Sequence, residues 1–426
     1  MKNNKVFINA SWIIGCKIAQ SGLALLLNAL TARYFGPSNF GLINYAASLV
    51  TFITPIMTLG TSETLVNEII KNPDREGTIL GTAMTMTFLS SLVCITGLSA
   101  FVRFVNPGDP VTIRVVSLYS LLLIAQSFEQ IQYWFHAKYL SKLVAVVWFF
   151  AYLAVSIYKI VLLAYQKSIY WFAIANSLDY LLIAIGLLVI YKKKRGQRLA
   201  FSVSAARSLW SRSRYYILAG LMGEVIIQSD RFMLRHMCGD AEVGFYSAAL
   251  SISCMTGFVF SAIITAFRPA ILESKKQSNL KFERSMAQLY GIIIYLAVAQ
   301  SIMFTIVAKP VVRIMYGQDY MSAVPILQIV VWYTIFSYIG GIRAIWTLAE
   351  NKQRYIWGVT FAGMMFNVLL NWMLIPKLQG IGAAVATLAT QVFTNLILVY
   401  LLKPLRENIT YMRKGMNLRN LFTLSR

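Results

Sequence analysis

The sequence predicts an all-α integral membrane protein with about 12 transmembrane helices in two parallel six-helix lobes around a central cavity. Composition is the first reason: of 426 residues, 58% are hydrophobic and 13% are charged, where ordinary soluble chains carry ~25% charged residues. Patterning is the second. The mean hydropathy of +0.63 resolves into continuous apolar runs long enough to span lipid, each of ~20 residues. The third is charge placement: 39 Lys and Arg against 16 Asp and Glu give a net charge of +23, and most of the cations fall in every second gap between runs.

Six runs fill the first half, at 9–31, 41–60, 78–104, 111–135, 143–165 and 168–191. The first contains Lys17 and Gln20, and no small-residue cleavage signal follows, so it is read as a retained span. The second carries the polar row Asn44, Ser48, Thr51 and Thr58 around Pro55, a candidate kink and hinge. The fourth carries Gln126, Gln130 and Tyr133, and the sixth is followed by Lys192-Lys193-Lys194-Arg195. Six more follow at 215–237, 244–267, 286–308, 321–348, 355–375 and 380–402. Asn367 and Asn371 mark the eleventh, and Gln391, Thr394 and Asn395 the twelfth. Helices are required because the runs are continuously apolar and lack the two-residue alternation of barrel strands.

Orientation follows from the gaps. Those near Gly36-Pro37, Asn106-Pro107, Gln166, Cys238-Gly239, Tyr316-Gly317 and Pro376 hold few cations, whereas the opposite side holds 27 of the 39. The positive-inside rule then puts both termini in the cytoplasm. The charge is chiefly a topology signal, so nucleic acid is not an expected partner. The domain reading is an N-terminal lobe at 1–191, a cytoplasmic basic linker at 192–214, a C-terminal lobe at 215–403 and a cytoplasmic tail at 404–426. The linker is read as a stop-transfer anchor that also attracts anionic membrane lipid.

The halves repeat. Thr31-Ala32-Arg33-Tyr34-Phe35-Gly36 leads to Phe40-Gly41-Leu42-Ile43-Asn44-Tyr45-Ala46-Ala47, and Leu234-Arg235-His236-Met237-Cys238-Gly239 leads to Val243-Gly244-Phe245-Tyr246-Ser247-Ala248-Ala249, aligned with one residue of slippage. Each half starts inside and has an even number of spans, which makes the repeats parallel, a transporter architecture. With Asp230 and with Gly380-Ile381-Gly382-Ala383-Ala384-Val385-Ala386-Thr387, these segments resemble the polysaccharide transporter family, whose Wzx-type members flip O-antigen or capsule repeat units. That family belongs to the multidrug/oligosaccharidyl-lipid/polysaccharide exporter superfamily. The resemblance covers the whole chain in length, span number and loop placement. It implies a polyprenyl-diphosphate-linked oligosaccharide as cargo, a bacterial inner membrane, and polysaccharide polymerase and chain-length proteins as further partners.

Charges inside the spans are the candidate functional groups, since each costs ~2.5–3.5 kcal/mol at a lipid-facing helix centre. Lys17, Lys159, Arg231 and Arg343 are the cations. Glu224, Gln228, Arg231 and Arg235 share one face of the seventh span, and Lys17, Ser21, Ala24 and Asn28 repeat that spacing in the first. Lys17 and Arg231 are assigned to the diphosphate through charge-assisted hydrogen bonds, Arg343 to the entry side, and Asn28 and Gln228 to the same substrate path. Glu224, Asp179 and Asp230 are assigned to proton or sodium coupling. Two simpler readings stand beside these: Glu129, Asp179, Glu224 and Asp230 pair with the four cations to lock helices, or Arg231, Arg343 and Lys159 snorkel to an interface. The polar rows are read as interhelical hydrogen bonds or, as a set, as a lining for hydroxyl-rich cargo.

Enzyme chemistry is not expected. Cys16, Cys94, Cys238 and Cys254 lack metal-ligand spacing, His136 and His236 sit toward opposite membrane faces, and no phosphate-binding Gly-rich Lys motif occurs. The two competing readings are a multidrug exporter, which calls for a cavity of acids and aromatics, and a membrane polymerase, which calls for a large hydrophilic outer loop.

Overall fold

The computed structural model describes the backbone of residues 2–417 and the side chains of residues 19–417. Among the described residues every regular element is helical. The first helix, α1 (Lys2–Met57), is two helices that change direction at Gly36, where φ is 71° and ψ 175°. It is followed by α2 (Leu65–Lys71), α3 (Glu76–Val105), α4 (Pro110–Ser120), α5 (Leu122–Phe128), α6 (Gln132–Ala137), α7 (Ser141–Ala164) and α8 (Ile169–Lys193). The second half has α9 (Val203–Cys238), α10 (Asp240–Cys254), α11 (Gly257–Gln277), α12 (Asn279–Tyr316), α13 (Ala323–Ala349) and α14 (Arg354–Val392). A π-helical turn at Phe393–Ile397 then leads into α15 (Leu398–Leu401) and α16 (Glu407–Gly415).

Among the described residues nine segments are long and apolar enough to cross a membrane. Two of them, Ala19–Met57 and Arg354–Leu401, each hold two spans, because the backbone breaks at Gly36 and at Gln379. The charged α9 adds one more, which gives the twelve spans of a multi-pass membrane protein. At 1.5 Å per residue the 24 residues of α7 reach ~36 Å, enough for a hydrocarbon core of ~30 Å. Phe104, Val93, Ile306 and Trp372 are more than half exposed, as lipid-facing side chains are.

The six gaps poor in cations share one device. Each contains a residue with positive φ: Gly36, Gly108, Gln166, Gly239, Gly317 and Gln379. Gly36 and Gly239 are repeat mates, and at both ψ is close to 180° (175° and 178°). That conformation lies outside the reach of most side chains, which is why glycine recurs there. The repeat read from sequence is therefore also a repeat of backbone geometry.

The chain divides into two compact units, Met1–Phe35 with Asn39–Gln228, and Gly36–Ser38 with Ser229–Arg426. The division falls inside α9 and not in the basic stretch 192–214, because that stretch is fastened to the first unit. Gln197 donates to the Pro73 carbonyl (2.9 Å) and accepts from the Gly77 amide (3.1 Å), while Tyr191 donates to the Gln197 carbonyl at 2.6 Å. Gly77 and Gly81 let the backbone at Arg198 and Ala200 approach so closely that a Cβ would lie 2.6 Å from a carbonyl oxygen. Arg212 pairs with Glu68, and Lys138 with Glu76 at 2.7 Å. Leu65, Leu80, Trp134, Phe135 and Leu209 form the adjoining core.

In the second unit the core of Phe282, Tyr290, Ile342 and Trp346 also takes in Tyr411 and Met412. The stretch read as a cytoplasmic tail includes α16, docked on this core. Tyr290 donates to Asn408 (2.9 Å), Lys414 pairs with Glu283, Tyr411 donates to Glu407 (2.7 Å), and Lys352 reaches Glu407 at 3.4 Å.

Candidate functional site

The second span ends early. Pro55 has no amide proton to give, α1 stops at Met57, and Leu59 and Gly60 both take positive φ. Gly60 faces the Ser213 carbonyl and Gly220 faces Pro55, both too closely for a Cβ. The chain then turns through a short 3-10 helix, Thr61–Glu63. This break leaves a cavity of about 440 Å³ within the first unit, bordered by Thr51, Thr54, Thr58, Glu63, Gln126, Asn176, Asp179 and Glu224, with Tyr119, Tyr180 and Tyr216. None of its described lining residues is Lys or Arg.

The hydroxyls of the second span turn back on their own helix. Thr51 donates to Ala47 (2.8 Å), Thr54 to Val50 (2.9 Å) and Thr58 to Pro55 (3.4 Å). Thr51 and Thr58, read from the sequence either as interhelical bonders or as a cavity lining, thus bond back to their own helix while bordering the cavity. Asn176 accepts from Lys159 at 3.1 Å, so that lysine is tied to a helix neighbour and does not snorkel free. Glu224 accepts from Gln228 (3.2 Å) and Glu129 from Gln132 (2.7 Å). Their hydrogen-bond donors are amides, in place of the four-against-four ion pairing considered above.

A second polar cluster lies in the second unit. Asp230 is 2% exposed, and it accepts from Asn371 through one oxygen and from Tyr246 and Thr387 through the other. Ser229 donates to Asn367 at 2.7 Å, and Asn371 donates to the same oxygen at 3.2 Å. Neighbouring Arg231 points to Ser247, 3.2 Å away, as expected from the ~100° turn per residue. Arg235 pairs with Asp240 across the Gly239 corner.

The predicted residues are thus dispersed. Asp179 and Glu224 share the cavity, Gln228 is bonded to Glu224, and Asn28 is exposed on α1. The side chain of Lys17 lies outside the described residues. Arg343 is 9% exposed and donates to the Thr394 carbonyl at 2.7 Å. This carbonyl belongs to the π-helical turn, where the regular helix bonding shifts, so Arg343 ties α13 to that turn. Sequence reasoning missed Glu63, which it took for loop, and Tyr246 and Thr387, which it quoted only as repeat or family pattern. The Pro55–Gly60 interruption was the available signal for Glu63.

Comparisons with known proteins bear on the family and the fold. The family described as polysaccharide biosynthesis protein matches residues 6–275. An uncharacterized membrane protein of Methanocaldococcus jannaschii is 25% identical over 258 residues, 56% of this chain and half the length of that protein. The capsular polysaccharide biosynthesis protein CapF of Staphylococcus aureus is 19% identical over 92% of this chain and 98% of its own. Among solved structures, the lipid II flippase MurJ in an inward closed conformation has a TM-score of 0.73 at 12% identity, covering 97% of this chain and 91% of that one. An inward-facing multidrug resistance MATE transporter has 0.70 at 12% identity, covering 95% of each. At such identities the last two speak for the fold alone.

Proposed function

Since the chain belongs to the polysaccharide biosynthesis protein family, we propose that it is a flippase that moves polyprenyl-diphosphate-linked oligosaccharide repeat units across a bacterial inner membrane. It works without catalysis, by alternating access, and feeds O-antigen or other surface polysaccharide assembly, where a polymerase and chain-length proteins are its working partners. The observation that carries the reading is a polar, saccharide-sized cavity inside a membrane-spanning unit, in a family named for polysaccharide biosynthesis. Arg231 and Lys17 are the cations assigned to the diphosphate, and membrane lipid holds the prenyl chain.

Coupling is assigned to Asp230. Its carboxylate is enclosed by hydroxyl and amide donors, and the Asn371 side-chain oxygen beside it has no hydrogen-bond partner. Such a set of oxygens suits one proton or one sodium ion. Asp179 and Glu224, which line the cavity, are on this reading in contact with cargo.

A second reading, export of cationic drugs, is favoured by one observation: the cavity's described lining has three carboxylates and three tyrosines and no cation. The test is depletion in the native host, followed by measurement of the amount and sidedness of lipid-linked oligosaccharide, with wild type or Asp230→Asn supplied back. Accumulation on the cytoplasmic leaflet, reversed by wild type and not by normally inserted Asp230→Asn, is the expected result. Unchanged lipid-linked sugar with new drug sensitivity would establish the exporter instead.

A further inference from the structure

The cavity of the first unit is acidic: its described lining carries three carboxylates and neither Lys nor Arg. Glu63, Asp179 and Glu224 bring carboxylates, and neither Asp179 Oδ1 nor Gln126 Oε1 has a hydrogen-bond partner. The hydroxyl protons of Thr51, Thr54 and Thr58 are already committed to carbonyls of their own helix, which leaves their lone pairs for a ligand. Lys159 donates to Asn176 at 3.1 Å and is not part of the described lining. The lining therefore favours a ligand with protons to give over an anionic one. The volume of about 440 Å³ falls in the range of small-molecule sites, ~300–1,000 Å³, and tyrosine rings offer flat faces for the C–H side of a pyranose.

We propose that this cavity holds the saccharide of the cargo by accepting its hydroxyl and amino protons, and that it selects neutral or amino sugars against uronic acids and other anionic sugars. The inference rests on the flippase reading and adds the class of sugar. A sugar carboxylate would face acceptors and like charges, and buried polar groups left unpaired or opposed by like charge are what make such sites discriminate.

The experiment uses the full chain in proteoliposomes with short-chain polyprenyl-diphosphate probes carrying glucose, glucosamine or glucuronic acid. The glucose and glucosamine probes are expected to cross at least about tenfold faster than the glucuronic acid probe, a factor that corresponds to about 1.4 kcal/mol. Glu63→Gln, Asp179→Asn and Glu224→Gln, each checked for unchanged melting, are expected to narrow the ratio. Equal rates for the three probes, or a ratio that none of the substitutions moves, would overturn the proposal. Should no probe cross at all, the flippase reading fails, and binding of methyl glucoside against methyl glucuronide to the protein in nanodiscs, read by saturation-transfer NMR, decides the cavity separately. Preference for the neutral glycoside supports the assignment, and equal binding sinks it.

Discussion

Arg343 and Asp230 are both buried inside spans, and their partners give them different uses. The guanidinium of Arg343 satisfies a backbone carbonyl in a π-helical turn, so its loss is a structural event. Arg343→Met is expected to lower stability by about 1–3 kcal/mol, the usual cost of an orphaned buried acceptor, while transport per folded molecule stays unchanged. Thermal unfolding in detergent beside the sidedness assay checks this, and a raised KM with unchanged melting would return Arg343 to the cargo path. The sequence disclosed which residues were charged and in a membrane, since hydropathy is a local property. Their partners were hidden because Asp230 is bonded to residues 141 and 157 positions away. No periodicity within α9 encodes that meeting.

At the scale of elements, glycine placement carries the sharpest consequences. A Cβ on Gly244 would lie 2.2 Å from the Pro37 carbonyl oxygen, while one on Gly97 would meet nothing within 4 Å. Gly244→Ala is thus expected to destabilise by roughly 1–3 kcal/mol or fail to accumulate, and Gly97→Ala to be neutral or stabilising by roughly 0.5–1 kcal/mol. Yield of monodisperse protein and its melting temperature discriminate the two. Outside the membrane, Glu407 is held below its ordinary 4.5, first by the Tyr411 hydroxyl, which outweighs the opposing effect of burial, and further by Lys352. Because the folded value is the lower one, this contribution to the docking of α16 is complete above 4.5 and disappears as pH falls through the folded value. Protection of α16 in hydrogen exchange should be flat from neutral pH down to about 5 and decline in more acidic buffer, and Glu407→Gln should flatten that decline. The sequence showed the spans and their order, and it marked Pro55 as a candidate kink, whereas the helix carries on through Pro55 and stops two residues later at Met57. It did not show α16, whose nine residues are too few for a hydropathy window and whose apolar face shows only against α12.

For the whole molecule, the twelve spans and their alternating basic gaps make orientation testable. Cysteine placed at Lys193 should react with a membrane-impermeant maleimide only after the cytoplasmic face is opened, and cysteine at Lys167 should react in intact spheroplasts. The reverse pattern would invert the topology and, with it, the direction of transport. This scale was the most legible in the sequence, because lipid imposes span length and cation bias on every helix alike. The cavity was less legible, since it arises from a break in one span and from packing against Gly60 and Gly220 by residues more than 150 positions away.

The docking of residues 197–202 onto Gly77 and Gly81 bears on how such a chain could have arisen by duplication. A free-standing six-helix ancestor ending at 191 would leave the Gly77 amide without Gln197 and two glycine notches uncovered. The first unit extends to Gln228, so it includes most of α9, the first helix of the second repeat. The two repeats are therefore not equivalent parts: the first unit includes a strap and most of the helix that opens the second repeat. Expression of 1–191 and 192–426 as separate polypeptides should therefore yield a first fragment that is degraded unless its complement is present.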